Sequence, residues 1–239
     1  MASGRIFVFY PRIHRSNDGN GIDVNAFVPG TAQGGILLGD WQVFIVVAAI
    51  VGAIVVALIV LPPILWRRRD DALPPQFKKN TPLEIGYTIV PLLIVAALFW
   101  VTLKNEWPVE AQVAKPYATV HVTAFRWSWR FDYPADGVSV SGTPEQPPEL
   151  ALALGEPTRI DLTTADVNHA FWVPAFLFKR DAIPGFTNSF DLTPVRAGVY
   201  RGECGEFCGI DHADMTFRVR VLPPAAYRAW IAQHKKGGE

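Results

Sequence analysis

Cysteine is scarce in this chain, with two among 239 residues. Both of them, Cys204 and Cys208, lie in one short stretch, which excludes the several disulfides of a small secreted scaffold. The C-x-x-C-H motif is absent, so a covalently attached c-type haem is not predicted. From Lys104 onward the chain has 16 acidic and 14 basic residues, and this near balance gives no support to nucleic-acid binding.

The segment that holds both cysteines also holds a histidine and a methionine. It reads C-G-E-F-C-G-I-D-H-A-D-M from Cys204 to Met215, with His212 between them. Thiolate, imidazole and thioether groups together favour copper, because hard cations such as magnesium prefer oxygen ligands. A single-copper electron-transfer site needs only one cysteine. We therefore predict two copper ions bridged by the two sulfurs, with His169 as the best candidate for a second imidazole.

Two other uses of these residues stay open on the sequence alone. A disulfide between Cys204 and Cys208 is common in exported domains, but it would leave the spacing of His212 and Met215 unexplained. Zinc would be satisfied by two cysteines and two histidines, but it gains little from a thioether. Copper accounts for every ligand type in the segment.

Two long runs without charge dominate the first half of the chain. The first covers residues 41–66, with a tryptophan at each end, and the second covers residues 85–103. An apolar run of about 20 residues spans the hydrocarbon core of a membrane as a helix, and tryptophan suits the two interfaces. We predict transmembrane helices at 41–66 and 83–105, the second kinked at Pro91. A buried core helix is the alternative for the first run.

The loop between the two runs, residues 67–82, sets the orientation. It concentrates more basic side chains than the longer N-terminal flank, namely Arg67, Arg68, Arg69, Lys78 and Lys79. Basic loops tend to stay in the cytoplasm, so both termini are predicted to lie outside. The apolar stretch 6–10 is too short for a secretory signal. We expect residues 1–40 to remain as an irregular extracytoplasmic arm.

Residues 106–222 are typical of an all-β sandwich or barrel. Short runs of alternating or β-branched residues recur about every ten residues, with Gly and Pro between them. The predicted strands are Tyr117–Thr123, Trp127–Tyr133, Glu149–Leu154, Thr158–Thr163, Thr187–Thr193, Gly198–Gly202 and Thr216–Leu222. His169 is expected in a loop after one strand, and the Cys204–Met215 segment in a loop between the last two, so the loops can converge at one end. Residues 223–239 are expected to form a short amphipathic helix and tail.

Five motifs resemble subunit II of the bacterial aa3-type cytochrome c oxidases, members of the heme–copper oxidases. They are N-T-P-L-E-I-G-Y-T-I-V-P (80–91), R-W-S-W-R-F-D-Y (126–133), D-V-N-H-A-F-W-V-P (166–174), K-R-D-A-I-P-G (179–185) and G-E-C-G-E-F-C-G-I-D-H-A-D-M (202–215). The resemblance implies a two-helix transmembrane hairpin followed by a cupredoxin-like β-barrel that carries the dinuclear copper centre CuA.

The resemblance also implies a ligand set. The copper ligands would be His169, Cys204, Cys208, His212 and Met215. The backbone carbonyl of Glu206 would be a further weak copper ligand, and its carboxylate would bind a magnesium (or manganese) ion shared with the catalytic subunit I. This division fits ligand chemistry, since carboxylates suit hard cations and thiolates suit copper. Taken alone, Glu206 is a solvated loop acid.

Trp127 aligns with the point at which electrons from cytochrome c enter the family's subunit II. The alternative is that Trp127 and Trp129 merely pack on one face of a strand, since they are two residues apart. The chain departs from the usual family pattern in having Arg126 where glutamine is common, with Arg130 soon after. Cytochrome c is usually basic around its heme edge, so arginines here do not suit it. A donor with a less basic face, or a c-type domain tethered in the same complex, therefore stays open.

Two acidic residues gain roles through the same resemblance. Glu84 would be the cytoplasmic mouth of a proton path, the K-channel, that serves the neighbouring catalytic subunit. Its alternative is to favour the N-terminus of the second membrane helix. Asp181 would brace the interface near the heme propionates of that subunit.

The function implied is that of an electron-accepting subunit of a proton-pumping oxidase in the cell membrane. Electrons would pass from cytochrome c through copper to heme in subunit I, which reduces oxygen to water, and subunit III would be a further partner. Two alternatives stay open. One is a subunit II of a quinol oxidase, although such subunits lack the copper ligands. The other is a membrane-anchored copper carrier, which would need an exposed, exchangeable site.

Overall fold

The computed structural model describes residues 22–23, 28–67, 76 and 78–236. The helices among them are α1 (Ala32–Leu65), α2 (Thr81–Glu110) and α3 (Pro224–Lys236). The strands are β1 (Ile22–Asp23), β2 (Ala118–Phe125), β3 (Ser128–Tyr133), β4 (Val138–Ser141), β5 (Glu149–Ala153), β6 (Thr158–Thr164), β7 (His169–Val173), β8 (Phe178–Ala182), β9 (Asn188–Leu192), β10 (Gly198–Cys204) and β11 (Thr216–Leu222). The chain forms two compact units, a helical unit of residues 39–107 and a β-domain made from the chain on either side.

The helical unit consists of the apolar parts of α1 and α2. Both helices are long and apolar enough to cross a membrane, and their most apolar stretches are not buried within the chain. Such exposed apolar side chains fit a lipid environment and do not fit a buried core helix. Asn105 donates a hydrogen bond to the Asp40 carboxylate and so joins the two helices at one end. Most of the predicted basic loop (68–75 and 77) lies outside the described residues.

Helix α1 begins at Ala32, ahead of the predicted start at residue 41. Thr31 caps this early start, because its hydroxyl oxygen accepts the Gly34 N–H at 3.1 Å. The same hydroxyl lies 3.3 Å from the Phe176 carbonyl oxygen, to which it donates. The first turns of α1 thus belong to the β-domain.

Part of the predicted irregular arm is therefore ordered against the β-domain. Strand β1 pairs in parallel with β10, with Ile22 opposite Val199 and Asp23 opposite Tyr200. Gly30 accepts a backbone hydrogen bond from Val195 and donates one to a carbonyl at residue 175. Residues 1–21 and 24–27 of the arm lie outside the described residues.

The β-domain is a sandwich of two sheets, which confirms the predicted fold class. One sheet has the order β5-β11-β10-β7-β8, with β1 beside β10, and the other has the order β4-β3-β2-β6-β9. Large side chains fill the space between them, foremost Trp129, Tyr133, Phe131, Phe171, Phe176 and Phe217. This packed core fixes the strand ends from which the candidate site is built.

Several strands differ from the sequence prediction. Strands β4, β7 and β8 were not predicted. Strand β8 reads F-K-R-D-A and has no β-branched residue to indicate a strand. His169 is the first residue of β7, so its predicted position in a loop is wrong. The predicted strand from residue 127 begins one residue later, and Trp127 lies in the turn that joins β2 and β3.

Helix α3 packs on the β-domain as its amphipathic sequence predicts. Tyr227, Trp230 and Ile231 are buried on one face. The indole N–H of Trp230 donates to the Glu149 carboxylate at 3.1 Å, and this carboxylate also pairs with Arg220. The chain end is thereby attached to the edge of the first sheet.

Candidate metal centre

Strand pairing brings the candidate ligands together. Strand β10 pairs with β7 only at its end, where Cys204 lies opposite Phe171. This register sets Cys204 beside His169, the first residue of β7. The Cys204 N–H then donates to the Met215 carbonyl at 3.0 Å and closes the loop that contains Cys208. Two segments far apart in sequence therefore meet at one end of the sandwich.

The side chains form a compact cluster around two sulfurs. The Cys204 and Cys208 Sγ atoms lie 3.9 Å apart, and both cysteines are free thiols. Nδ1 of His169 is 3.7 Å from the Cys204 sulfur, and Nδ1 of His212 is 3.7 Å from the Cys208 sulfur. The Met215 sulfur lies 3.7 Å from the Cys208 sulfur. Each cysteine thus faces its own imidazole, and the thioether lies on one side.

The backbone adds one oxygen to this set. The Glu206 carbonyl oxygen lies 3.2 Å from the Cys204 sulfur, which donates to it. The side chain of Glu206 is exposed, whereas Cys204, Cys208 and Met215 are buried. Two thiols, two imidazoles, a thioether and a carbonyl match the soft ligands that copper prefers. The residues present therefore fit a copper centre, and zinc would leave the buried methionine unused.

Without a metal, the two thiols ionise unequally. Burial opposes ionisation of Cys204, but hydrogen bonds from His169 and from backbone N–H groups lower its pKa overall. Burial and the adjacent Cys204 charge raise the pKa of Cys208. Metal binding requires both thiolates, so a bound cation would release the Cys208 proton, and copper affinity should rise with pH.

Asp166 holds the other side of the His169 ring. Its Oδ1 lies 2.9 Å from His169 Nε2, which leaves Nδ1 to face the sulfur. Burial opposes ionisation of Asp166, but hydrogen bonds from His169 and from the Arg126 and Val167 N–H groups keep its pKa below the usual range. Sequence reasoning did not single out Asp166. Its position three residues before His169, in D-V-N-H, could have indicated a carboxylate near the candidate histidine ligand.

Two tryptophans of the R-W-S-W motif contact the ligand loop. The half-buried Trp127 donates its indole N–H to the Cys208 carbonyl at 3.3 Å. The fully buried Trp129 is placed to donate to the Met215 carbonyl at 3.5 Å. Trp129 was regarded only as a packing residue. The two indoles do not share a strand face as expected, because Trp127 lies in the turn.

The two remaining predicted site residues lie on other elements. Glu84 is near the start of α2, where its carboxylate accepts the Asn80 N–H at 3.3 Å, while the Asn80 side chain accepts the Leu83 N–H. Asp181 lies on the edge strand β8, and its side chain is exposed. Within the β-domain, the Asn188 side chain donates a hydrogen bond to the Asp181 backbone carbonyl, and no described hydrogen bond or ion pair joins Asp181 to the sulfur cluster.

Comparisons with known proteins agree with this architecture. Residues 145–222 match the family described as "Cytochrome C oxidase subunit II, periplasmic domain". A probable cytochrome c oxidase subunit 2 of Streptomyces avermitilis is 36% identical over 251 residues, which cover 88% of this chain and 79% of the relative. A cytochrome c oxidase subunit 2 of Mycobacterium tuberculosis is 30% identical and covers 82% of this chain and 71% of the relative.

One solved structure supports the same assignment for the β-domain. The crystal structure of the periplasmic domain of subunit II of cytochrome oxidase from Bradyrhizobium japonicum superposes with a TM-score of 0.50 at 30% identity. The match covers 54% of this chain and 100% of that domain.

Two membrane-spanning helices followed by a cupredoxin-like sandwich with a soft-ligand cluster define a membrane-anchored copper protein. Within that class, the chain belongs to the cytochrome c oxidase subunit 2 family. It is the subunit through which a heme–copper terminal oxidase receives electrons, and its C-terminal domain lies outside the membrane.

Proposed function

We propose that His169, Cys204, Cys208, His212 and Met215 hold the dinuclear CuA centre, with the Glu206 carbonyl as a weak further ligand. The observation that carries this assignment is the pair of sulfurs 3.9 Å apart, each 3.7 Å from its own imidazole. A copper pair bound by these residues supplies a one-electron relay with little change of structure. The chain's own contribution is a rigid, buried ligand frame at the end of a packed sandwich.

Metal analysis of the full-length chain in detergent tests this assignment. We expect two copper ions per chain and a mixed-valence electron paramagnetic resonance signal that persists after treatment with a chelator. A Cys208→Ser variant should lose the signal, since only one bridging thiolate would remain. Bound zinc, a single copper ion or a Cys204–Cys208 disulfide in the purified chain would contradict the proposal. Ready loss of copper to the chelator would instead favour a copper carrier.

We further propose that cytochrome c, or a c-type donor domain, docks over Trp127. Support comes from the indole itself, which is partly exposed and hydrogen-bonded to the candidate ligand Cys208. A Cβ atom on Gly209 would lie 3.0 Å from the indole nitrogen, so the ligand loop approaches this ring closely. Trp127 therefore links the surface to the sulfur cluster through one side chain and one hydrogen bond.

The charges beside Trp127 bear on which donor is used. Arg126 pairs with Asp166 at 3.3 Å, and Arg130 pairs with Asp132 at 3.0 Å. Each pair is neutral as a whole, so the arginines neither repel a basic donor strongly nor attract an acidic one. We expect oxidation rates of added cytochromes to depend weakly on ionic strength. A basic cytochrome whose rate falls steeply with salt would contradict this neutral docking surface.

Contacts with oxidase subunits I and III are also proposed. Phe207 and Ile210 lie on the ligand loop with 77% and 86% of their surface exposed, which supports a covering partner such as subunit I. The exposed Glu206 carboxylate, on the same loop, is free to bind magnesium or manganese shared with that subunit. We also assign the exposed Asp181 to the contact with subunit I, where it would brace the interface near the heme propionates.

A further inference from the structure

Trp129 contacts both segments that carry candidate ligands. Its ring lies 6.3 Å, centroid to centroid, from the His169 ring in an edge-on arrangement. On other sides it packs against Phe217 at 5.1 Å and Phe171 at 6.0 Å. All four side chains are buried to 1% exposure or less, so Trp129 has little freedom to move.

The indole N–H of Trp129 points at the end of the ligand loop. It lies 3.5 Å from the Met215 carbonyl, the same oxygen that accepts the Cys204 N–H at 3.0 Å. One backbone oxygen thereby connects β3, β10 and the residue that carries the thioether. A thioether is a weak copper ligand, so its position depends on the protein frame more than on the bond it forms.

We propose that Trp129 is a positioning residue that fixes the Met215 thioether and the His169 ring relative to the two cysteine sulfurs. This inference rests on the proposed copper centre. Loss of the indole leaves the Met215 carbonyl with one donor and removes packing from beside His169. The Met215 thioether would then lie farther from the two cysteine sulfurs and would donate less electron density to bound copper. Weaker donation favours the reduced state of the copper centre.

The test compares two tryptophan variants in the full-length chain loaded with copper. Trp129→Phe keeps an aromatic ring and removes the N–H. Trp230→Phe is the matched control, because Trp230 is also buried and loses a comparable hydrogen bond, to Glu149 at 3.1 Å. Its described ring contacts are with Tyr133 and His234, neither of which is a candidate ligand. We expect Trp129→Phe to raise the reduction potential, change the copper hyperfine pattern and release copper to a chelator about 10-fold faster. Trp230→Phe should lower the unfolding temperature and leave all three readouts unchanged.

Equal potentials, spectra and copper release rates for the two variants would overturn the inference and leave Trp129 as a core residue. If Trp129→Phe does not fold, Phe217→Leu is the substitute variant, because it loosens the packing of the Trp129 indole and keeps its N–H. We expect this variant to change the reduction potential. An unchanged potential in that variant would also overturn it. Failure of the unmodified chain to bind a copper pair would refute the proposed function instead.

Discussion

Asp166 shows how a single carboxylate can serve two neighbours. It accepts a hydrogen bond from His169 Nε2 and pairs with Arg126, which precedes Trp127 in the chain. A carboxylate behind a histidine ligand fixes the ring and raises its basicity. Asp166 therefore connects the inner face of the candidate centre with the turn at which we propose the donor docks.

We expect Asp166→Asn to weaken copper binding about 10- to 100-fold, because the amide lacks the charge that strengthens the bond to His169. Competition with a chelator of known affinity measures the change. Asp132→Asn is the control, since Asp132 also pairs with an arginine, Arg130 at 3.0 Å, but has no hydrogen bond to a candidate ligand among the described contacts. Equal affinities in the two variants would show that Asp166 does not support His169.

At the scale of elements, the start of α1 is built into the β-domain. The helix packs so closely there that a Cβ atom on Gly34 would clash with the Phe176 carbonyl oxygen. At Gly39, in the same helix, a Cβ atom meets nothing within 4 Å. Alanine would raise the helix propensity at both positions, but it would clash only at Gly34. Comparing the two substitutions therefore isolates the effect of packing.

Gly34→Ala should destabilise the β-domain by about 1–3 kcal/mol, because the added methyl group forces backbone apart in an overpacked site. Gly39→Ala should be neutral or stabilising by up to about 1 kcal/mol, as alanine is the better helix former. Denaturant unfolding of both variants in the same detergent measures the difference. Equal stabilities would mean that α1 begins without support from the loop around Phe176.

Glu84, near the start of α2, has two alternative roles: to stabilise the helix N-terminus or to open a proton path. Its carboxylate accepts the Asn80 N–H, and glutamine can keep that hydrogen bond while losing the charge. We propose the proton-path role, so both Glu84→Gln and Glu84→Ala should slow reduction of the heme–copper centre in the assembled oxidase. Stopped-flow spectroscopy of that reduction is the measurement. Normal reduction in Glu84→Gln, with a less stable helix in Glu84→Ala, would limit Glu84 to capping α2.

At the scale of the whole molecule, the candidate ligands all belong to one of two compact units. The β-domain contains His169 and the 204–215 loop, whereas residues 39–107 form the helical unit. Copper bound to the folded state stabilises the unit that holds it, by about 2.7 kcal/mol at a free concentration 100 times its dissociation constant.

Removal of copper should therefore lower the unfolding temperature of the β-domain and leave the helical signal of the membrane unit in place. Near-ultraviolet and far-ultraviolet circular dichroism, recorded with and without chelator, separate the two units. Cys208→Ser provides the control, because its unfolding should no longer depend on copper. Loss of helical signal together with the β-domain would show that the two units unfold as one.

The sequence alone determined the membrane helices, the sandwich and the side-chain types of the candidate ligands. These follow from local patterns, since about 20 uncharged residues, alternation with a period of two and a cluster of soft side chains are all visible along the chain. The early start of α1 was missed because it depends on Thr31 and on the distant Phe176.

Only the tertiary structure decided how the predicted ligands contact one another and which further side chains support them. His169 meets Cys204 because β7 and β10 pair at their ends, and Trp129 reaches Met215 across the sandwich core. Such contacts join residues far apart in sequence, and their geometry depends on strand register and packing. A one-residue change of register would turn each side chain to the opposite face. No local pattern could therefore have specified these distances or the contacts of Asp166 and Trp129.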